Sequence, residues 1–130
     1  METLAPEFGP YFANLATGRL CFPHCRDCAR WHWYPMPLCP HCQSSQVAWR
    51  QVAGTAKLFS WTEIHHPFDA RYAGPLPYVV GLVSFADAPG VRLVTHIVDA
   101  PVATLVIDMH VEPRFALGPD GTPQIVFHKR

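Results

Sequence analysis

Four of the five cysteines stand in two short Cys-x-x-Cys pairs, Cys25-Arg-Asp-Cys28 and Cys39-Pro-His-Cys42, with ten residues between them. Each pair can turn two thiolates toward one ion, and the interval is long enough for a hairpin that brings the pairs together. An odd number of cysteines without a secretion signal argues against a disulfide framework. Zn²⁺ suits four thiolates, because it has neither redox chemistry nor a ligand-field preference, and four protein ligands leave no position open for catalysis. The expected site is therefore structural zinc at Cys25, Cys28, Cys39 and Cys42, with a tetrathiolate iron centre or a redox dithiol as the other chemistries of this pattern. Cys21, between Leu20 and Phe22, reads as a small buried hydrophobe. His24 and His41 sit inside the knuckles, but four thiolates already complete the coordination.

The knuckles need elements to hold them. Phe8, Tyr11, Phe12 and Leu15 recur at helical spacing before Gly18, which predicts a short amphipathic helix. Such a helix is too short to stand alone, so its aromatic stripe docks on its own domain or on a partner. Trp31, His32, Trp33 and Tyr34 fall between the knuckles, where they pack the metal module against its neighbour or, less simply, offer a base-stacking platform. After the knuckles come β-branched and aromatic runs punctuated by Gly, Pro and Asp. They predict strands over 47–52, 56–65, 78–86, 91–97, 109–116 and 124–127, with a hairpin turn at Ala88-Pro89-Gly90. Short antiparallel strands without a long helix favour closure, since closure removes exposed edges. The expected fold is mainly β: a helical segment over 1–18, a zinc module over 19–50 and a five-stranded Greek-key barrel over 51–130. The stretch 100–105 is expected to cross the barrel.

Composition narrows the function. Only 15% of residues are charged against 49% apolar, and ten Lys plus Arg balance ten Asp plus Glu; an average soluble domain carries roughly 25% charged residues. No basic run marks a phosphate-backbone footprint, and Lys57, Arg71, Arg92 and Arg114 are scattered, so single-stranded nucleic-acid binding is the alternative rather than the favoured reading. No long apolar stretch and no basic leader are seen, which reads as cytoplasmic with no membrane partner. His65, His66, His96, Asp69, Asp99 and Asp108 form no persuasive acid–base constellation, so the chain is expected to be non-catalytic alone. The 13-residue stretch from His65 to Pro77 is long for a hairpin and is the expected contact loop.

The order of these features resembles the DUF35 family: an aromatic helix, Gly18-Arg19-Leu20, the two knuckles with Pro35-Met36-Pro37-Leu38 before the second, then Trp49, Gly54, Ser60-Trp61-Thr62, Pro77-Tyr78-Val79-Val80 and Val111-Glu112-Pro113-Arg114-Phe115. The resemblance covers nearly the whole chain. It departs at Ala56, where the family often has a second glycine, and at Asp108, where a glycine often precedes the next strand. What it implies is a rubredoxin-like zinc ribbon followed by an OB-fold, in an accessory or scaffold protein of acyl-CoA metabolism (steroid side chains or aromatic acids). The implied partners are thiolase-like, acyltransferase or MaoC-type hydratase subunits. Bound acyl-CoA would then draw on Arg71, Arg92 and Arg114 for its phosphates and on Phe68, Tyr72 and Leu76 for its acyl arm, while Phe8, Tyr11, Phe12 and Leu15 would dock the partner. A homodimer of the isolated chain is the remaining assembly the sequence leaves open.

Overall fold

The computed structural model describes residues 6–66, 76–118 and 121–130. A 3₁₀ turn, Pro6–Phe8, leads into helix α1, Gly9–Ala16, which opens with a proline where the missing N–H costs nothing. The helix closes on Gly18 at φ +78°: Gly18 N–H donates to Leu15 C=O and Arg19 N–H to Asn14 C=O, both at 3.0 Å. This double closure satisfies the last carbonyls and needs a residue that tolerates the left-handed region.

Strands β1 (Cys21–Cys25) and β2 (Val47–Gln51) form a separate antiparallel pair with Phe22 opposite Arg50 and Cys25 opposite Val47. β1 is a strand the sequence pattern does not announce, because Pro23 and His24 interrupt its apolar run. β2 belongs with it rather than with the barrel. The other strands are β3 (Ala56–Ile64), β4 (Tyr78–Phe85), β5 (Arg92–Val98), β6 (His110–Leu117) and β7 (Pro123–Lys129). They close in the order β3-β4-β5-β7-β6, all antiparallel except β5 with β7. The fourth strand in sequence thus lies beside the first, so the 99–109 connection crosses one end, with a 3₁₀ turn at Val102–Thr104 and buried Leu105 beneath it. This is the five-stranded Greek-key barrel expected of the sequence. β3 ends at Ile64, so His65 and His66 lie in a bend beyond the strand and not at its end.

The alternation in β4 and β5 sends Val79, Val83, Phe85, Leu93 and Ile97 inward, where they meet Leu58, Val111, Ile125 and Phe127. Tyr11 and Leu15 of α1 and Leu20 and Phe22 of the ribbon join the same cluster, so one continuous core serves helix, ribbon and barrel. α1 packs chiefly on β7 and β1. Two close approaches fix backbone positions. Gly54 has φ +92°, and a Cβ there would come within 3.0 Å of the Pro113 ring. Gly81 faces inward, where a Cβ would lie 2.6 Å from Ile97 Cγ1 and 3.2 Å from Leu58 Cδ1. Gly81→Ala is expected to cost about 1–3 kcal/mol by forcing Ile97 off its rotamer. The urea midpoint should fall with an unchanged slope.

The two departures from the family pattern have simple accommodations. Ala56 is buried between Phe85 and Val111 as an ordinary strand residue. Asp108 takes φ 66°, a conformation a glycine adopts freely and Asp tolerates better than most residues.

Candidate metal centre and the ribbon face

The two knuckles are built alike. In the first, Cys25 N–H donates to Arg30 C=O and Ala29 N–H to Cys25 C=O; in the second, Cys39 N–H donates to Ser44 C=O and Gln43 N–H to Cys39 C=O. Ala29 and Gln43, each four residues after its first cysteine, take left-handed φ of 61° and 66°. This tight turn leaves N–H groups aimed at sulfur: Cys28 N–H reaches Cys25 Sγ at 3.5 Å, and His41 N–H reaches Cys39 Sγ at 3.4 Å. Asp27 ties the two together by accepting from the Ser44 hydroxyl.

All four sulfurs lie within 4.8 Å of one another, with Cys25 and Cys42 3.6 Å apart and Cys28 and Cys39 3.7 Å apart. A tetrahedral ion with bonds of about 2.3 Å needs sulfurs about 3.8 Å apart, so the donor set fits zinc in size and in chemistry. Titration of the thiols agrees. The Cys28 N–H holds Cys25 down at about 7. Burial pushes Cys28 up. The Ser44 N–H lowers Cys42, but burial and the facing Cys25, Cys28 and Cys39 thiols drive it up to about 12. Four sulfurs this close ionise together only when a cation shares them. Bound zinc would lock the knuckles to each other. With four sulfur ligands it supplies no position for a reacting water.

Of the aromatic residues between the knuckles, Trp33 packs inward and Tyr34 is exposed. Trp33 lies against Phe8, Tyr11 and Phe22 at 5.7, 4.7 and 5.2 Å between ring centres, and Phe22 in turn meets Phe85 of the barrel at 5.1 Å. The Trp33 end of the cluster therefore packs the ribbon onto helix and barrel. Tyr11 and Leu15 are buried in that core. Of the stripe assigned to partner docking, these two serve this chain's own interior, because packing α1 on β7 and β1 takes their apolar surface out of water.

Trp31 has different neighbours. The Arg50 guanidinium lies over its ring at 5.7 Å, His24 meets it edge-on at 4.8 Å, and His41 Nε2 sits 3.2 Å from its carbonyl oxygen. His32 beside it is only 5% exposed, and neither ring nitrogen has a hydrogen-bond partner among the described residues. Burial, with His41 nearby, pushes the His32 imidazole below its ordinary value. A base depressed on folding is protonated more readily in the unfolded chain, so its stabilising effect is complete above about pH 6.5 and is lost as pH falls below it. In zinc-saturated protein, stability to urea should hold down to about pH 6.5 and decline as pH falls further, and His32→Leu should flatten that decline while costing under about 1 kcal/mol at pH 7.5.

The other residues singled out from the sequence do not share one site. Phe68, Arg71, Tyr72 and Asp69 lie outside the described residues. Leu76 is exposed. Arg92 covers the Phe59 ring at 4.3 Å, whereas Arg114 pairs with Asp99 at 2.7 Å, both half-exposed. Among the acid–base candidates, His65 pairs with Glu63, His96 stacks on Tyr78 at 5.0 Å and Asp99 is taken by Arg114. Asp108 sits in a left-handed turn, so it does not share an alternating strand face with His110. What the linear pattern hides is that Arg30 and Arg50 gather beside Trp31, since they lie 20 positions apart. Counting charge by segment exposes them: residues 19–50 hold four arginines against one aspartate, and three of the four tryptophans.

A four-thiolate ribbon on a Greek-key barrel of the OB type defines a class of small two-sheet proteins. Within it, the chain belongs to the ChsH2 family: residues 12–48 match its rubredoxin-like zinc ribbon domain and residues 49–116 its C-terminal OB-fold domain. It is 37% identical over 101 residues to a Thermomonospora curvata protein named "Probable enoyl-CoA hydratase alpha subunit", covering 78% of this chain and 30% of that one. It thus spans less than a third of that relative's length. Among solved structures it is similar to a chain of an "Ltp2-ChsH2(DUF35) aldolase", at TM-score 0.87 and 28% identity over 99% of this chain and 98% of the other. A DUF35-family protein of unknown function from Sulfolobus solfataricus shares the fold, at TM-score 0.66 and 15% identity over 97% and 87%. No helix among the described residues is long and apolar enough to cross a membrane.

Proposed function

We propose that this protein is a non-catalytic accessory subunit that supports an acyl-CoA-processing enzyme, a hydratase or a thiolase-like protein. The observation that carries the reading is the end-to-end similarity to the DUF35 chain of the Ltp2-ChsH2 aldolase, joined to the relative named as a hydratase subunit. Chemistry supports it from another side. The metal site has four sulfur donors and leaves zinc nothing to activate, and His65, His96 and Asp99 are each engaged with a different neighbour. A chain of this kind contributes surface and binding while the reacting groups come from the partner. Ile107, Val94 and Phe59 stand exposed on or beside the barrel strands, as suits a protein that buries part of its surface on another.

The test is affinity capture of the tagged chain from its native cells, with the captured complex assayed for acyl-CoA turnover. A stoichiometric hydratase, thiolase or aldolase together with turnover supports the reading. Nuclease-sensitive recovery of nucleic-acid proteins, with no such enzyme, replaces it with single-strand binding.

A further inference from the structure

We propose that Cys42 is an oxidation site through which a peroxide opens the metal centre: its sulfur is oxidised first, closes a disulfide onto Cys25 and leaves zinc too few donors to stay. The chemistry belongs to the ribbon alone and holds whichever enzyme the chain accompanies.

The four cysteines are not equally placed. Cys25 and Cys39 have no exposed surface and Cys28 is half-buried, whereas Cys42 is exposed, as are Pro40, His41 and Gln43 around it. The difference follows from the fold. Cys25 ends β1 opposite Val47 of β2, and Cys39 starts the second knuckle with its backbone bonded to Ser44 and Gln43; Cys42 falls on the outer side of that same turn. A coordinating thiol is deprotonated outright, so with zinc bound ionisation does not distinguish the four sulfurs and access does. Cysteine oxidation follows thiolate character and exposure, and a small oxidant therefore meets Cys42 first. A second thiol stands ready to resolve it. Cys42 Sγ lies 3.6 Å from Cys25 Sγ, while Cys39 Sγ lies 3.7 Å from Cys28 Sγ, so the sulfurs divide into two pairs that each join one knuckle to the other. Cys21, the fifth cysteine, is buried and stands outside the cluster.

With hydrogen peroxide as the oxidant the steps balance. The Cys42 thiolate attacks one peroxide oxygen; the S–O bond forms, the O–O bond breaks, and hydroxide leaves, giving a sulfenic acid. The Cys25 thiolate then attacks the Cys42 sulfur; the S–S bond forms, the S–O bond breaks, and a second hydroxide leaves. Two electrons have passed from the two sulfurs to the peroxide, and two protons from solvent turn the hydroxides into water. Only Cys28 and Cys39 remain as donors, half of what a closed structural site needs. Trp31 and Trp33 lie in the segment between those two cysteines, so loss of the metal loosens the loop that packs the ribbon onto helix and barrel.

The experiment exposes the zinc-loaded full chain to hydrogen peroxide with a chromogenic zinc chelator present. Samples are quenched at intervals with an alkylating agent, and oxidised cysteines and disulfides are assigned by fragmentation of their peptides; a parallel series carries dimedone to trap sulfenic acid. Zinc should be released in step with the loss of thiols. Dimedone should mark Cys42 roughly tenfold or more above Cys39 and Cys21, and the first disulfide should join Cys25 to Cys42. A thiol reductant with added zinc should restore metal content and tryptophan fluorescence. Zinc retained under peroxide that fully oxidises glutathione, even oxidation of all four cysteines, or a first disulfide that lacks Cys42 would each overturn the proposal, and a first disulfide between Cys39 and Cys42 would overturn the part given to Cys25. No substitution is needed, so failure of a variant to fold does not cloud the result.

Discussion

Cys39→Ser should yield protein without stoichiometric zinc and with a thermal midpoint lower by roughly 10 °C or more. Cys39 is fully buried, anchors the second knuckle through two backbone bonds and sits 3.7 Å from Cys28. Serine retains the turn but offers a neutral hydroxyl where zinc needs a thiolate. The remaining three sulfurs then lose the cation that lets them ionise together. Because the ribbon contributes Leu20 and Phe22 to the common core, the loss is not confined to the knuckles. Zinc content by atomic spectroscopy and the melting curve are the measurements. A variant that keeps its midpoint would show that packing alone holds the ribbon, and chelation of the unmodified protein provides the matching control.

The second large effect is expected at Phe22. It has no exposed surface and sits between Trp33 of the ribbon loop and Phe85 of the barrel. Truncation to alanine removes the ring that both sides pack on, and buried Phe→Ala changes cost about 3–5 kcal/mol. The expected outcome in a denaturant titration is a midpoint shift of that size. Zinc should stay bound in the native state, since Phe22 is not a ligand. A loss under about 1 kcal/mol would mean that the linker and α1, rather than this aromatic contact, hold ribbon and barrel together.

How far the sequence carried the reading differs by element. The thiolate spacing located the metal centre, because knuckle geometry is local and a few residues determine it. The barrel strands were legible from β-branched and aromatic runs set off by Gly, Pro and Asp, and the crossing connection from its place between the third and fourth of them. β1 was not legible, since Pro23 and His24 break its pattern and only pairing with β2 makes it a strand. The aromatic stripe on α1 announced a buried face but not what buries it; Tyr11 and Leu15 are satisfied within the chain. Arg50 reaches the Trp31 ring only through folding, and of the arginines that stood out in the sequence Arg92 is engaged with Phe59 and Arg114 with Asp99.

The barrel is not closed evenly. β3 and β4 share eight register pairs, β4 and β5 six, and β6 and β7 seven, whereas β3 meets β6 in two and β5 meets β7 in two. At the second of these junctions Thr95, inside the wall, donates its hydroxyl to Ile125 C=O at 3.0 Å and adds a side-chain bond to a short ladder. The β6–β7 hairpin is thus joined to the three-stranded sheet by two narrow seams. Amide hydrogens at those seams exchange through local opening well below the free energy of global unfolding, while those in the middle of β4 wait for the whole domain. This hairpin is the part of the wall that can yield first, and because α1 packs on β7 its opening loosens the helix as well.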